Sequence, residues 1–186
     1  ASTRLANCTP AACSIWTTDV ITRTHQKGDA ASVAVYSDCE AYRYALTREW
    51  AAGRRLLVVM LNPSTATEEA NDPTVERCER RARGLGYGGF RVVNLFAWRA
   101  TDPRALRAVA DPIGPDNDDA LDAGALWADD VLCGWGGHGG LLGRDRVVTA
   151  RLRGHNRPLW HLGLTGAGQP KHPLYIGYAQ APVLWD

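Results

Sequence analysis

Four apolar runs of strand length constrain this chain more than any other feature: LLVVML at 56–61, FRVVNLF at 90–96, DVLCGW at 130–135 and PLWHLGL at 158–164. A strand with one wet face alternates apolar and polar residues, so short runs this continuous read as strands covered on both sides. The stretches between them, at 73–85, 103–110, 116–128 and 144–153, carry helical spacing. Pro73 and the aspartates from Asp116 to Asp119 are well-placed helix starts, because proline presets φ and acidic groups suit the positive end of the helix dipole. Upstream, CEAYRYALTREWAAG sets Tyr42, Ala45, Leu46 and Trp50 at helical spacing and stops at Gly53, which predicts another helix. The expected class is α/β, with a mostly parallel central sheet of about four strands and helices on both faces. Residues 1–34, apart from a short strand at VAVY (33–36), read as a peripheral arm, and 35–186 as a single α/β domain.

Size and composition fit that expectation. The chain has 186 residues, 45% of them hydrophobic and 22% charged, enough to bury roughly two-thirds of the extended surface without a metal or disulfide staple. Its net charge of +1 excludes indiscriminate nucleic-acid binding by a whole-surface field. Charge is nevertheless segregated. Residues 101–130 hold eight aspartates against Arg104 and Arg107, and residues 144–157 hold five arginines against Asp145. The second stretch reads either as a phosphate-facing patch or as a solvated helix face. No apolar run approaches the roughly 20 residues of a membrane span and residues 1–30 lack the apolar block of a signal peptide, so the expected address is the cytoplasm.

Several chemistries are disfavoured by missing patterns. The five cysteines (Cys8, Cys13, Cys39, Cys78, Cys133) include no CxxC pair and read as scattered thiols, Cys8 and Cys13 being the pair worth following. His138, His155, His161 and His172 form neither HExxH nor a finger pattern, so no metal is expected. GxSxG is absent, which argues against a Ser-His-Asp hydrolase. The glycine-rich segment from Gly134 to Gly143 matches neither a P-loop nor a dinucleotide fingerprint, so no cofactor is expected.

In open α/β sheets ligands sit outside the carboxyl ends of the strands, and here polar groups gather at those exits. The first run leads into Asn62-Pro63-Ser64-Thr65 and then Asn71-Asp72-Pro73; the second contains Asn94 and leads through Phe96 to Trp98 and Arg99; the last leads to Lys171, His172 and Tyr175. Each has a plain alternative. Asn62 to Thr65 reads equally as a turn, and Asp72 either activates water or caps the helix beginning at Pro73. Asn94 inside an apolar run needs a partner, since an unpaired buried amide costs about 1–3 kcal/mol. His172 is either a surface histidine or an acid–base group.

The segments YRYALTREW, VVMLNPSTATEEANDPTVERC, GYGGFRVVNLFAWRATDP and GQPKHPLYI closely resemble a bacterial and phage family known as domain of unknown function 1643, over roughly residues 36–176. The order of a strand ending in Asn-Pro, a strand Asn followed by Arg-Ala-Thr, and a late His-Pro loop also resembles, more distantly, the mismatch-specific branch of the uracil-DNA glycosylase superfamily. That likeness implies a three-layer sandwich in which Asn62 positions water, Asn94 reads a base edge and His172 stabilises the departing base. Met60 and Leu174 stand where those enzymes usually carry Gly and Ser. Asn62 is neutral and orients water without taking its proton, so cleavage would draw on Asp72 or on substrate-driven departure. Phe96 or Trp98 would stack on the base and Arg99 would hold phosphate, with Pro63, Ser64, Thr65, Lys171 and Tyr175 completing the substrate site. The expected function is base recognition with hydrolysis of an N-glycosidic bond in DNA or a nucleotide. The alternatives are a non-catalytic nucleotide or nucleic-acid binding module and an enzyme acting on another small molecule.

Overall fold

The computed structural model describes residues 19–186. They form one sheet of eight strands: β1 (Val20–Lys27), β2 (Ala30–Ser37), β3 (Arg43–Glu49), β4 (Arg55–Met60), β5 (Gly89–Asn94), β6 (Asp130–Cys133), β7 (Leu159–His161) and β8 (Val183–Leu184), in the order β1-β2-β3-β5-β4-β6-β7-β8. Three α-helices, α1 (Pro73–Gly84), α2 (Asn117–Trp127) and α3 (Arg144–Gly154), accompany it.

The expectation of a mostly parallel four-strand sheet is overturned. Four of the seven strand pairings are antiparallel, those of β1 with β2, β2 with β3, β3 with β5 and β7 with β8. The result is a mixed sheet with few helices, not the mostly parallel three-layer sandwich that the glycosylase likeness implied. The four apolar runs do overlap β4, β5, β6 and β7, and these pair in parallel. The antiparallel majority comes from segments read otherwise. Residues 20–34, within the span read as an arm, are β1 and part of β2, so a boundary at 34 falls inside a strand. Cys8 and Cys13 lie outside the described residues.

The segment 39–53 is the clearest misreading, because its centre is β3 and not a helix. Val35 pairs with Ala45 and Tyr36 with Arg43, which leaves Tyr44 as an extra residue in a β-bulge. A bulge breaks the two-residue alternation. Ala45 packs with Leu57, Val59 and Val93 under α2 and α3, whereas Leu46 packs on the other side with Tyr36, Met60 and the α1 residues Val75 and Cys78. Apolar residues displaced in this way fall at three-residue spacing and imitate a helix. The stretch 103–110 is reduced to a 3-10 turn at Pro103–Arg107.

The two segregated charge blocks meet each other. Arg144 pairs with Asp118, Arg151 pairs with Asp118 at 3.0 Å and Asp122 at 2.5 Å, and His155 Nε2 lies 2.8 Å from Asp122. Arg144 also donates to the Leu95 carbonyl at 2.9 Å, and Arg157 donates to that of Ala125 at 3.2 Å. The basic stretch is thus largely spent on α2. No helix of the described residues is long and apolar enough to cross a membrane.

Candidate functional site

At the carboxyl ends of the parallel strands the chain opens into a cleft of about 710 Å³ lined by the segments that follow β4, β6 and β7, by the turn before Pro103, and by Arg43 of β3. That volume lies within the range of small-molecule sites. Of the residues expected there, Asn62, Ser64, Thr65, Asp72, Lys171, His172 and Tyr175 line it.

Asn62 follows β4 directly. Its Nδ2 donates to the Pro63 carbonyl at 3.0 Å and the Ala100 carbonyl at 2.7 Å, which fixes the amide orientation and leaves Oδ1 as the acceptor. Asp72 caps α1: Oδ1 accepts from the amides of Thr74 at 3.0 Å and Val75 at 2.8 Å. Asp72 is thus the cap of α1, and the capping carboxylate is also part of the cleft wall.

His172 heads the 3-10 turn Pro173–Tyr175, its Nδ1 accepting from the Leu174 amide at 3.4 Å. Desolvation by burial pushes its pKa below the ordinary histidine value, and the Asp72 charge opposes that shift. The ring is therefore neutral at pH 7, and with Nδ1 accepting, Nε2 carries the proton and is a donor. Gly134 sets the position of this loop. A Cβ at Gly134 would lie 2.8 Å from Pro173 Cδ, and a proline ring cannot turn aside. Gly134→Ala is expected to displace the His172-Pro173 segment and to lower stability by about 1–3 kcal/mol. A thermal melt, with the His172 ring followed by NMR, checks both. Lys171 is exposed, and Tyr175, 82% exposed, stands at the rim.

Five expected residues are not part of the cleft lining. Pro63 is buried in the turn, its carbonyl accepting from Asn62 Nδ2 and from the Ala100 amide at 2.9 Å. Phe96 lies in the core on the α2 side, because the chain leaves β5 with Leu95 and Phe96 both turned to that face. Trp98 packs edge-on against Tyr42 at 5.4 Å. Arg99 donates to the Glu40 carbonyl at 3.1 Å and lies over Tyr36, too committed to hold a ligand phosphate. Asn94 is 1% exposed and neither atom of its amide has a partner. It pairs in register with Met60, which does line the cleft. Among the described residues no group of three or more His, Cys, Asp or Glu side chains is arranged to hold a metal ion.

Residues 43–174, well over half of the chain and all the strand exits just described, match the family described as "Protein of unknown function (DUF1643)". The chain belongs to the DUF1643 family. No curated protein and no solved structure matches it.

The matched region of this DUF1643 protein begins at a residue that the sequence did not single out. Arg43 is 1% exposed yet lines the cleft. The helix reading of this segment gave it no role; in β3, beside the bulge at Tyr44, it pairs with Tyr36. Its only legible signal was a charge set between aromatic residues in YRYALTREW. Trp135, which follows β6, also lines the cleft and is held there by Gln169 Oε1 at 2.6 Å from Nε1.

Proposed function

We propose that this DUF1643 protein recognises a nucleobase in the cleft and hydrolyses its N-glycosidic bond, in DNA or in a nucleotide. The observation that carries the reading is the presence of Asn62, Asp72 and His172 in the wall of one ligand-sized cleft. Breaking this bond develops positive charge on the sugar and negative charge on the departing base. Asp72 supplies the negative charge that suits the first and accepts a proton from water. Asn62 Oδ1 orients that water. His172 offers its Nε2 proton to the base.

A nucleotide or a single strand is favoured over duplex DNA by one observation. The arginines from Arg144 to Arg157 that a duplex backbone would need are largely occupied by Asp118, Asp122 and backbone carbonyls. A panel of uracil, hydroxymethyluracil, hypoxanthine and mismatch oligonucleotides, together with the corresponding mononucleotides, tests the proposal by release of free base. Release abolished by Asn62→Ala and by His172→Ala supports it. Binding with no release from any member supports the non-catalytic binding module instead.

Acid sensitivity follows from His172. Its folded-state pKa lies below that of the unfolded chain, so its contribution to stability is complete above about pH 6.5 and is lost as pH falls through the lowered folded value. Protonation also removes the acceptor for the Leu174 amide. Base release is therefore expected to fall on the acid side of pH 6.5 together with the melting temperature. His172→Gln should flatten the melting profile between pH 5 and 7, leaving the part due to His161, whose pKa burial also lowers.

A further inference from the structure

The floor of the cleft holds a cation that the catalytic reading does not use. Arg43 Nη1 donates to the Ala66 carbonyl, Nε has no partner, and no carboxylate of the described residues forms an ion pair with it. Desolvation lowers its pKa to about 10, which leaves it charged at pH 7. The other buried arginines are better satisfied. Arg48, whose Nε is also unpartnered, donates through its two Nη atoms to Ser32, Thr67 and Asn71, Arg81 to three carbonyls of the 176–180 segment, and Arg144 to Asp118 and Leu95. Asp72 is close enough for its charge to be felt at Arg43, but its Oδ1 already takes two helix amides. A buried guanidinium lining a cavity without an ion-pair partner is matched by an oxyanion.

We infer that the cleft floor is an oxyanion site, in which Arg43 receives a phosphoryl or carboxylate group of the ligand. The hydroxyls of Ser64, Thr65 and Thr165 and the Lys171 ammonium line the same cleft and suit the outer oxygens of such a group. An internal phosphodiester cannot bring its phosphate to the floor of a cleft without its flanking nucleotides. A terminal phosphate can, so the ligand is a mononucleotide or another small molecule ending in an anion. This inference rests on the cleft being the ligand site of the proposed function, and not on the cleavage step.

Calorimetric titration of the full chain tests it, using inorganic phosphate, acetate, a set of nucleosides, their 5′-monophosphates, and a single-stranded oligonucleotide with an internal deoxyuridine. The monophosphates should bind at least about tenfold more tightly than the nucleosides, the size expected for charge-assisted bonds. Arg43→Met should remove that preference and Arg43→Lys restore part of it. Competition by phosphate identifies a phosphoryl ligand, and competition by acetate alone a carboxylate. Equal affinity for nucleoside and monophosphate, or a preference that survives Arg43→Met, overturns the inference and makes Arg43 a structural support for the 62–68 loop. If Arg43→Met does not fold, the wild-type comparison decides. Phosphate-dependent binding without base release from any substrate retires the cleavage reading and leaves the oxyanion site standing; base release indifferent to the terminal phosphate does the reverse.

Discussion

Asp72→Asn is expected to lower base release by about 10²- to 10⁴-fold, the usual contribution of a positioned acid–base group, while the melting temperature barely moves. The substitution separates two roles that one carboxylate combines. As a cap, Asp72 accepts the Thr74 and Val75 amides through Oδ1, and asparagine caps a helix about as well as aspartate. As a charge in the cleft wall, it has no neutral substitute. Asp72→Ala removes both and should add about 1 kcal/mol of destabilisation. Paired melting curves and product assays on the two variants check this. Equal loss of stability and activity in Asp72→Asn would mean that the residue acts only through the helix.

The largest effect on folding is expected at the opposite end of the sheet. Asp130 opens β6, 2% exposed, and accepts from Tyr87 Oη at 2.7 Å, from Trp160 Nε1 at 3.1 Å and from Arg54. It thereby ties β6 to β7 and to the loop before β5. Asp130→Ala leaves the tyrosine and indole donors half-buried without an acceptor, which should cost about 3 kcal/mol. Arg54 is well exposed, so freeing it adds little. Burial and Asp130 together push the Tyr87 hydroxyl above its ordinary pKa; in the variant the Tyr87 titration should move back down, a change that ultraviolet absorbance records. Chemical denaturation measures the stability loss, and a midpoint unchanged from wild type would contradict this account of the network.

Much of the central sheet was legible because burial on both faces writes itself into sequence as unbroken apolar runs. LLVVML and FRVVNLF became β4 and β5 with little shift in their bounds, and Pro73 behind Asp72 marked the start of α1. The antiparallel flank was hidden for local reasons. One bulge at Tyr44 made β3 imitate a helix and concealed Arg43 with it. Phe96 and Trp98 read as base-stacking aromatics at the exit of the second strand, but the side a residue faces after a strand ends depends on how the chain departs, and Leu95 and Phe96 turn into the core together. The arginines from Arg144 to Arg157 read as a phosphate-facing patch or a solvated helix face because their partners on α2 lie more than twenty residues away in sequence. Strand-exit reasoning located a shared cleft: Asn62 and Asp72, both in the connection after β4, and His172, in the one after β7, line it together.

Hydrolysis in ¹⁸O-labelled water, followed by mass spectrometry of every product, is the most direct measurement. The account predicts one ¹⁸O at the sugar C1′ and none in the released base. Label in the base would indicate deamination, label in phosphate would indicate a phosphohydrolase, and substrates recovered whole would deny turnover; each of these contradicts attack by a water held between Asn62 and Asp72.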